Sequence, residues 1–167
     1  MPANIEIKAR IADLARIRTA AEQITETPVE VLQQEDTFFE VPRGRLKLRQ
    51  FTSAHGQLIY YQRDDRKGPK LSSYVISATD DPQTLRLALA SALSVRGVVK
   101  KTRWLYRVGQ TRIHLDEVEG LGHFLELEVV MGAEESREAG ERIAGDLMKK
   151  LGINEPDLVS EAYIDLV

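Results

Sequence analysis

The chain has 167 residues and no cysteine, so disulfide bonds and thiolate metal sites are excluded. Its formal net charge of −3 at pH 7 argues against a general nucleic-acid-binding protein, which is usually basic. The N-terminus lacks the basic-then-apolar pattern of a signal peptide, and no apolar run approaches the length of a membrane span. We therefore predict a cytoplasmic protein with one domain over residues 1–167.

The first half of the chain predicts one helix and several short strands. A strand is predicted at 3–10, and apolar residues at helical spacing predict a helix at 13–24. Four further strands are separated by turns that contain glycine or proline. They are predicted at 29–40, 45–53, 57–65 and 70–78.

The second half begins with a predicted helix from Pro82 to Leu93, since proline suits a first helical turn. Strands follow at 96–107, 110–118 and 123–131, then an amphipathic helix at 134–150 that ends at Gly152, and a tail from Pro156 that predicts a short helix or strand. Many short strands with few helices favour a closed antiparallel barrel. About eight strands would enclose a small ligand. The predicted fold class is α+β, mainly antiparallel β: an eight-stranded barrel with helices packed outside.

Several of these strands alternate aliphatic with ionisable side chains, at 4–8, 46–49, 112–116 and 125–129. Successive strand side chains point to opposite faces, so each stretch has one apolar and one charged face. One interpretation is a solvated sheet surface with cross-strand ion pairs. The other is a curved sheet whose charged faces line a wet interior. The solvated surface explains less well why the polar positions hold charged residues and histidine rather than threonine, serine and glutamine, and both interpretations stay open.

If the charged faces point inward, they place eight basic residues in the interior: Lys8, Arg45, Lys47, Arg49, Arg63, Lys101, Arg103 and Arg112. Unpaired charges in a dry interior cost several kcal/mol each, so such a tunnel requires water, an ion or a charged ligand. The basic excess favours a multiply charged anion, because arginine's planar fork matches phosphate oxygens and lysine supplies a point charge.

The acidic members of the same set are Glu6, Asp116, Glu126 and Glu128, and His114 lies among them. Glu126 and Glu128 share one strand face, and a neighbouring strand could bring further carboxylates beside them. All-oxygen ligation suits Mg²⁺ or Mn²⁺, which also take phosphate oxygens as ligands. Cations on one wall and carboxylates with a metal on the other indicate a site for a phosphate chain.

The stretch Ile5-Glu6-Ile7-Lys8 resembles the second half of the N-terminal ExExK signature of the CYTH superfamily, the triphosphate tunnel metalloenzymes. This family is named for class IV adenylyl cyclase and thiamine triphosphatase. The resemblance continues through residues 44–49, 60–63, 68–70, 99–103, 112–116 and 124–128. One departure is that Asn4 stands where the signature has its first glutamate. An amide oxygen can still ligate a hard cation, but it brings no charge.

The resemblance implies an eight-stranded tunnel that binds a triphosphate lengthwise with Mg²⁺ or Mn²⁺. It identifies Lys8, Lys47, Arg49, Arg63, Lys101, Arg103 and Arg112 as similar to the phosphate clamps, with Lys8, Arg63 and Arg112 as catalytic candidates. Glu6, Glu126 and Glu128 look like the metal-binding carboxylates, which Asp116 could join.

The implied activity resembles that of class IV adenylyl cyclase, which converts ATP to cyclic AMP and pyrophosphate. Two alternatives stay open. One is a triphosphatase that hydrolyses tripolyphosphate, thiamine triphosphate or a nucleoside triphosphate. The other is a non-catalytic module that binds polyphosphate or a nucleotide. The expected partners are therefore triphosphates, with no nucleic acid or membrane, and the chain is either a monomer or a homodimer.

Overall fold

The structure, a computed structural model, describes residues 1–167 and contains eight strands and four α-helices. In chain order these are β1 (Ala3–Arg10), α1 (Leu14–Ile24), β2 (Glu30–Phe39), β3 (Arg45–Thr52), β4 (His55–Arg63), β5 (Lys70–Thr79), α2 (Pro82–Ala92), β6 (Val95–Val108), β7 (Thr111–Val118), β8 (Gly122–Val130), α3 (Arg137–Leu151) and α4 (Tyr163–Leu166). A 3₁₀ turn at Glu155–Asp157 precedes α4.

The eight strands form a closed barrel in the order β1-β5-β4-β3-β2-β6-β7-β8, and all neighbours are antiparallel. The predicted α+β barrel is confirmed. The barrel closes where β1 meets β5 over the four pairs from Ala3↔Ser73 to Glu6↔Lys70. On its other side, β1 pairs with β8 from Asn4↔Val130 to Arg10↔Phe124.

On β1, β6, β7 and β8 the apolar face points outward and is covered by helices. α1 and α3 pack against β1, β6, β7 and β8 and bury a core of 14 residues. Strand residues such as Ile7, Ile113 and Leu127 meet Ile17 and Leu151 from the helices. This cluster is the largest in the protein, so the main core lies outside the barrel wall. Burial of each such side chain contributes roughly 1.5–3 kcal/mol. The charged face therefore points into the barrel.

Helix ends follow local sequence signals. The carboxylates of Asp13 and Asp81 accept hydrogen bonds from the backbone N–H groups of the residues three positions on, at 3.1 and 3.2 Å. The Ser136 hydroxyl does the same for α3, which therefore begins later than the predicted 134. Gly152 ends α3 with φ of 70°, a backbone conformation that glycine adopts without strain.

The C-terminal segment closes one end of the barrel, which we call the closed end. Val159 N–H donates to the carbonyl of Lys8, and Leu158 forms a bridge with Ala9. The segment adds to a second apolar cluster of ten residues: Phe38, Ile59, Tyr61, Val99, Val118, Phe124, Val159, Ala162, Tyr163 and Ile164. The side chains of this cluster fill the closed end of the bore.

No helix of this protein has the length and apolar character needed to cross a bilayer.

Candidate functional site

A cavity of about 240 Å³ runs inside the barrel and is lined by inward side chains of all eight strands. Eight basic residues line it: Lys8, Lys47, Arg49, Arg63, Lys101, Arg103, Arg107 and Arg112. Four acidic residues line it as well: Glu6, Asp36, Glu126 and Glu128. The lining therefore has a formal excess of four positive charges.

One wall carries three cations on a single carboxylate, a group that we call the Asp36 cluster (Asp36, Lys47, Arg49 and Lys101). Arg49 donates from Nε and Nη2 to the two oxygens of Asp36, each at 2.8 Å. Lys101 Nζ lies 2.9 Å from Asp36 Oδ2, and Lys47 Nζ lies 3.6 Å from the same atom. Burial acts to raise the pKa of Asp36, but the three cations outweigh it and hold that pKa well below its usual range.

The two lysines of this cluster have lowered pKa values. Burial, followed by the charge of Arg49, lowers the pKa of Lys47 to about 7. Burial also lowers the pKa of Lys101 to about 8, although Asp36 opposes the shift. One carboxylate does not neutralise three cations, so the cluster favours an additional anion.

The other wall carries three glutamates, each paired with an arginine. Glu6 on β1 lies opposite Glu128 on β8 in the strand register. Arg63 Nη1 is 3.5 Å from Glu6, Arg103 Nη2 is 3.4 Å from Glu126, and Arg112 pairs with Glu128. We call these three glutamates the carboxylate wall.

Two members of the carboxylate wall differ in electrostatic environment. Burial and the negative charge of Glu128 raise the pKa of Glu6 to about 7. Burial also acts to raise the pKa of Glu126, but Lys8 and Arg103 outweigh it and hold that pKa well below its usual range. A cation beside the wall would stabilise the ionised form of Glu6.

The donor chemistry of the carboxylate wall suits a hard divalent cation, which prefers carboxylate and amide oxygens. Asn4, only 2% exposed, also lines the cavity, and its Oδ1 has no hydrogen-bond partner. In the structure, however, no three His, Asp or Glu side chains converge in a metal-binding arrangement, because the glutamates contact arginines. The residue types therefore suit such an ion. The three glutamate–arginine contacts must break before the glutamates can bind one ion together.

Lys8 lies where the carboxylate wall meets the closed end. Its ammonium donates to the Glu161 carbonyl at 3.1 Å and lies 3.9 Å from the centroid of the Tyr163 ring. Burial lowers its pKa to about 8, although Glu126 opposes the shift. The C-terminal segment therefore positions one of the predicted phosphate-binding residues.

The structure brings most of the predicted site residues together, with two exceptions. Arg45 does not line the cavity, since it pairs with Asp65 and Asp165 at 3.3 and 2.9 Å. Asp116 is fully buried outside the cavity lining, where Arg103 donates to both of its oxygens at 2.7 Å. The Tyr163 hydroxyl also donates to Asp116 at 2.7 Å. Asp116 is thus placed to anchor Arg103, and its oxygens are already engaged.

His114 lines the cavity beside Glu126, its partner in the strand register. Burial, followed by the charge of Arg103, lowers its pKa to about 3, so the imidazole is neutral near pH 7. Its Nδ1 has no hydrogen-bond partner.

Sequence reasoning missed several residues of the site, among them Asp36, Gln34, Arg107 and Tyr163. Gln34 and Asp36 follow the period of two that places them inward, but β2 lacks the aliphatic alternation that marked the other strands. Lys70 is fully buried next to the site and donates to the carbonyls of Arg66 and Ser160 at 3.0 and 2.9 Å. Those contacts give it a structural role.

Comparisons with known proteins agree with this geometry. The CYTH domain family matches residues 2–163. A protein of Pyrococcus horikoshii has 27% identity and a TM-score of 0.85, covering 98% of this chain and 99% of its own. A candidate adenylate cyclase of Vibrio parahaemolyticus has 22% identity and a TM-score of 0.77, and the match covers 98% of this chain and 96% of the Vibrio chain. A candidate adenylyl cyclase of Hippeastrum has 16% identity and a TM-score of 0.68, and the match covers 97% of this chain and 91% of the Hippeastrum chain. That protein is described as having dominant triphosphatase activity. No curated protein sequence matches the chain.

Proposed function

This chain belongs to the CYTH domain family, and from that we propose a divalent-metal-dependent enzyme that cleaves a phosphoanhydride bond of a triphosphate bound in the tunnel. The observation that carries the proposal is the cavity lining, with four excess positive charges and three glutamates on one wall. A chain of phosphoryl groups has the opposite charge and the extended shape that such a bore accepts.

In this proposal the Asp36 cluster, Arg103 and Lys8 bind phosphoryl oxygens. Arg63 and Arg112 lie beside the carboxylate wall, where they would stabilise charge that develops as the bond breaks. Glu6, Glu126 and Glu128 would hold Mg²⁺ or Mn²⁺. When bound, that ion neutralises phosphoryl oxygens and orients the leaving group.

The arginine pairs of the carboxylate wall give this arrangement a physical basis. Arg63, Arg103 and Arg112 neutralise the three glutamates in the structure. A triphosphate with its cation offers phosphate oxygens to the arginines and a metal ion to the glutamates. Both sets of buried charges then keep a partner of opposite sign, which avoids the cost of isolated charge.

The group that attacks phosphorus defines the reaction. If a ribose hydroxyl attacks the α-phosphorus, ATP yields cyclic AMP and pyrophosphate. If water attacks, the enzyme is a triphosphatase. The sequence resemblance to class IV adenylyl cyclase favours the first reaction, whereas the described activity of the Hippeastrum protein supports the second.

Incubation of the protein with ATP, tripolyphosphate or thiamine triphosphate, with Mg²⁺ or Mn²⁺, tests the proposal. Cyclic AMP with pyrophosphate identifies a cyclase, and orthophosphate identifies a hydrolase. Saturable binding without turnover identifies a non-catalytic module and contradicts the proposed enzyme.

The metal assignment is tested with Glu126→Ala and Glu128→Ala, which should each abolish metal-dependent turnover. Glu134→Ala, at an exposed position outside the cavity, is the matched control. Turnover that persists in both wall variants would remove the assignment.

A further inference from the structure

A second, more open hollow of about 520 Å³ lies beside the tunnel and is lined by residues of β2, β3, β6 and β7 and by Glu119. It arises where β2 and β3 separate, because their pairing stops at Glu35↔Gln50 while β2 begins five residues earlier. Gln34, Phe51 and Lys101 line both the hollow and the tunnel cavity. The two spaces therefore share the part of the barrel wall that these three residues form.

Gln34 brings unused hydrogen-bonding capacity to this junction. Gln34 is only 5% exposed, and its Oε1 has no hydrogen-bond partner. Buried polar atoms of this kind are normally paired, so an unpaired one next to a cavity is free to bond to water or to a ligand. A terminal amide offers both donors and an acceptor, which suits the edge of a heterocycle.

Phe51 supplies a flat apolar face at the same place. The β3–β4 register shifts between Gln50 and Thr52, a bulge that leaves Phe51 without a partner on β4. Its ring stacks on His55 with centroids 4.9 Å apart and an interplanar angle of 19°. Because Phe51 also lines the tunnel, a second ring can stack on the side that His55 does not cover.

The bulge is held by close packing around Gly56. A Cβ at this position would lie 2.8 Å from the carbonyl oxygen of Arg49 and 2.9 Å from Pro82 Cβ. Only glycine allows β4 to approach α2 and β3 this closely. The aromatic pair therefore lies on a fixed part of the barrel rim.

We propose that Gln34 and Phe51 bind the heterocyclic base of a nucleoside triphosphate, an inference that rests on the proposed triphosphate function. Gln34 and Asp36 are alternate residues on the same strand face, about 6.5–7 Å apart. Lys101 is opposite Gln34 in the register and contacts Asp36. The base site thus adjoins the phosphate site, with a separation that a sugar can span. Inorganic tripolyphosphate would contact neither Gln34 nor Phe51.

The test compares dissociation constants for tripolyphosphate and for a non-hydrolysable ATP analogue, both with Mg²⁺, by calorimetry. Phe51→Ala and Phe51→Leu should weaken binding of the analogue by about tenfold, as expected for loss of one stacking contact. Gln34→Ala should weaken it in the same direction. Tripolyphosphate binding should change by less than about twofold in all three variants, which also shows that the tunnel is folded.

Phe51→Trp should retain analogue binding, because the larger ring can still stack. Leu87→Ala changes an exposed apolar residue of α2 and is the control for loss of apolar surface outside the site. Unchanged analogue binding in the Phe51 and Gln34 variants, or equal weakening of both ligands, would overturn the base site and leave the triphosphate function intact. Failure of the parent protein to bind either ligand would instead refute the proposed function itself.

Discussion

Lys47 contacts a carboxylate that it shares with two other cations, Arg49 and Lys101. Burial and the charge of Arg49 lower its pKa to about 7, so a fraction of this lysine is uncharged near neutral pH. A bound anion favours the charged form and raises the pKa. The protein must then take up protons when the anion binds.

We expect proton uptake when tripolyphosphate binds at pH 8 without metal, and affinity that falls as the pH rises above 7. Calorimetry in two buffers with different ionisation enthalpies measures the number of protons. Lys47→Met should reduce the uptake, whereas Lys100→Met, at an exposed neighbour of Lys101, should not. Equal uptake in the parent and Lys47→Met would contradict the assignment of this proton to Lys47.

Arg49 makes the bidentate contact in the Asp36 cluster, and its fork also matches phosphate oxygens. Arg49→Ala should weaken tripolyphosphate binding by roughly 10- to 100-fold, since a lost charged hydrogen bond costs about 1.5–3 kcal/mol. Orthophosphate binding should weaken less, because a single phosphoryl group can bind elsewhere in the tunnel. Competition binding measures both, with the exposed Arg43→Ala as the control. The same loss for both anions would argue against an extended pose.

At the scale of the elements, the sequence predicts strands well because alternation and turn residues are local signals. All eight strands form, and the largest errors are at their ends. The strand predicted at 57–65 begins at His55, because the β3–β4 turn is tighter than His55-Gly56 suggested. Helix α3 begins at Arg137, where Ser136 provides the cap.

The site was harder to predict because alternation gives the face of a strand but not the position along the tunnel. Arg45 shares a strand face with Lys47 and Arg49, yet Asp165 of the C-terminal segment engages it at the closed end. Asp116 shares a face with Arg112 and His114, but Arg103 and Tyr163 enclose it. These outcomes depend on contacts between residues distant in the chain. The alternation of side chains along a strand carries no information about such contacts.

The C-terminal segment gives an element-scale prediction through Tyr163, whose hydroxyl donates to the buried Asp116. Tyr163→Phe should lower the free energy of unfolding by about 1.5–3 kcal/mol, the usual cost of losing a hydrogen bond to a charged group. Urea titration measures this change. Tyr60→Phe is the matched control, since the Tyr60 hydroxyl makes no hydrogen bond in the structure, and equal effects of the two changes would refute the anchoring role.

On the scale of the whole molecule, the barrel reverses the usual arrangement, since its main apolar core lies outside the wall and its charges lie inside. Four excess positive charges within about 240 Å³ repel one another and oppose folding. The outer core, the helix caps and the C-terminal segment supply the compensating stability. A polyanion that enters the tunnel relieves the repulsion and should stabilise the fold.

We therefore expect tripolyphosphate to raise the melting temperature. At a concentration 100 times its dissociation constant, a ligand that binds only the folded state contributes about 2.7 kcal/mol. For a domain of this size each kcal/mol corresponds to about 2–4 °C, so the expected shift is about 5–11 °C. Calorimetric melting measures it, and Arg49→Ala at the same ligand concentration should show a smaller shift. The shift should shrink as salt is added, because ions screen the attraction between the anion and the partly exposed ends of the tunnel. A melting temperature that stays constant when the ligand saturates the protein would show that the anion binds the unfolded chain as tightly as the folded protein, which would contradict a site formed by the folded tunnel.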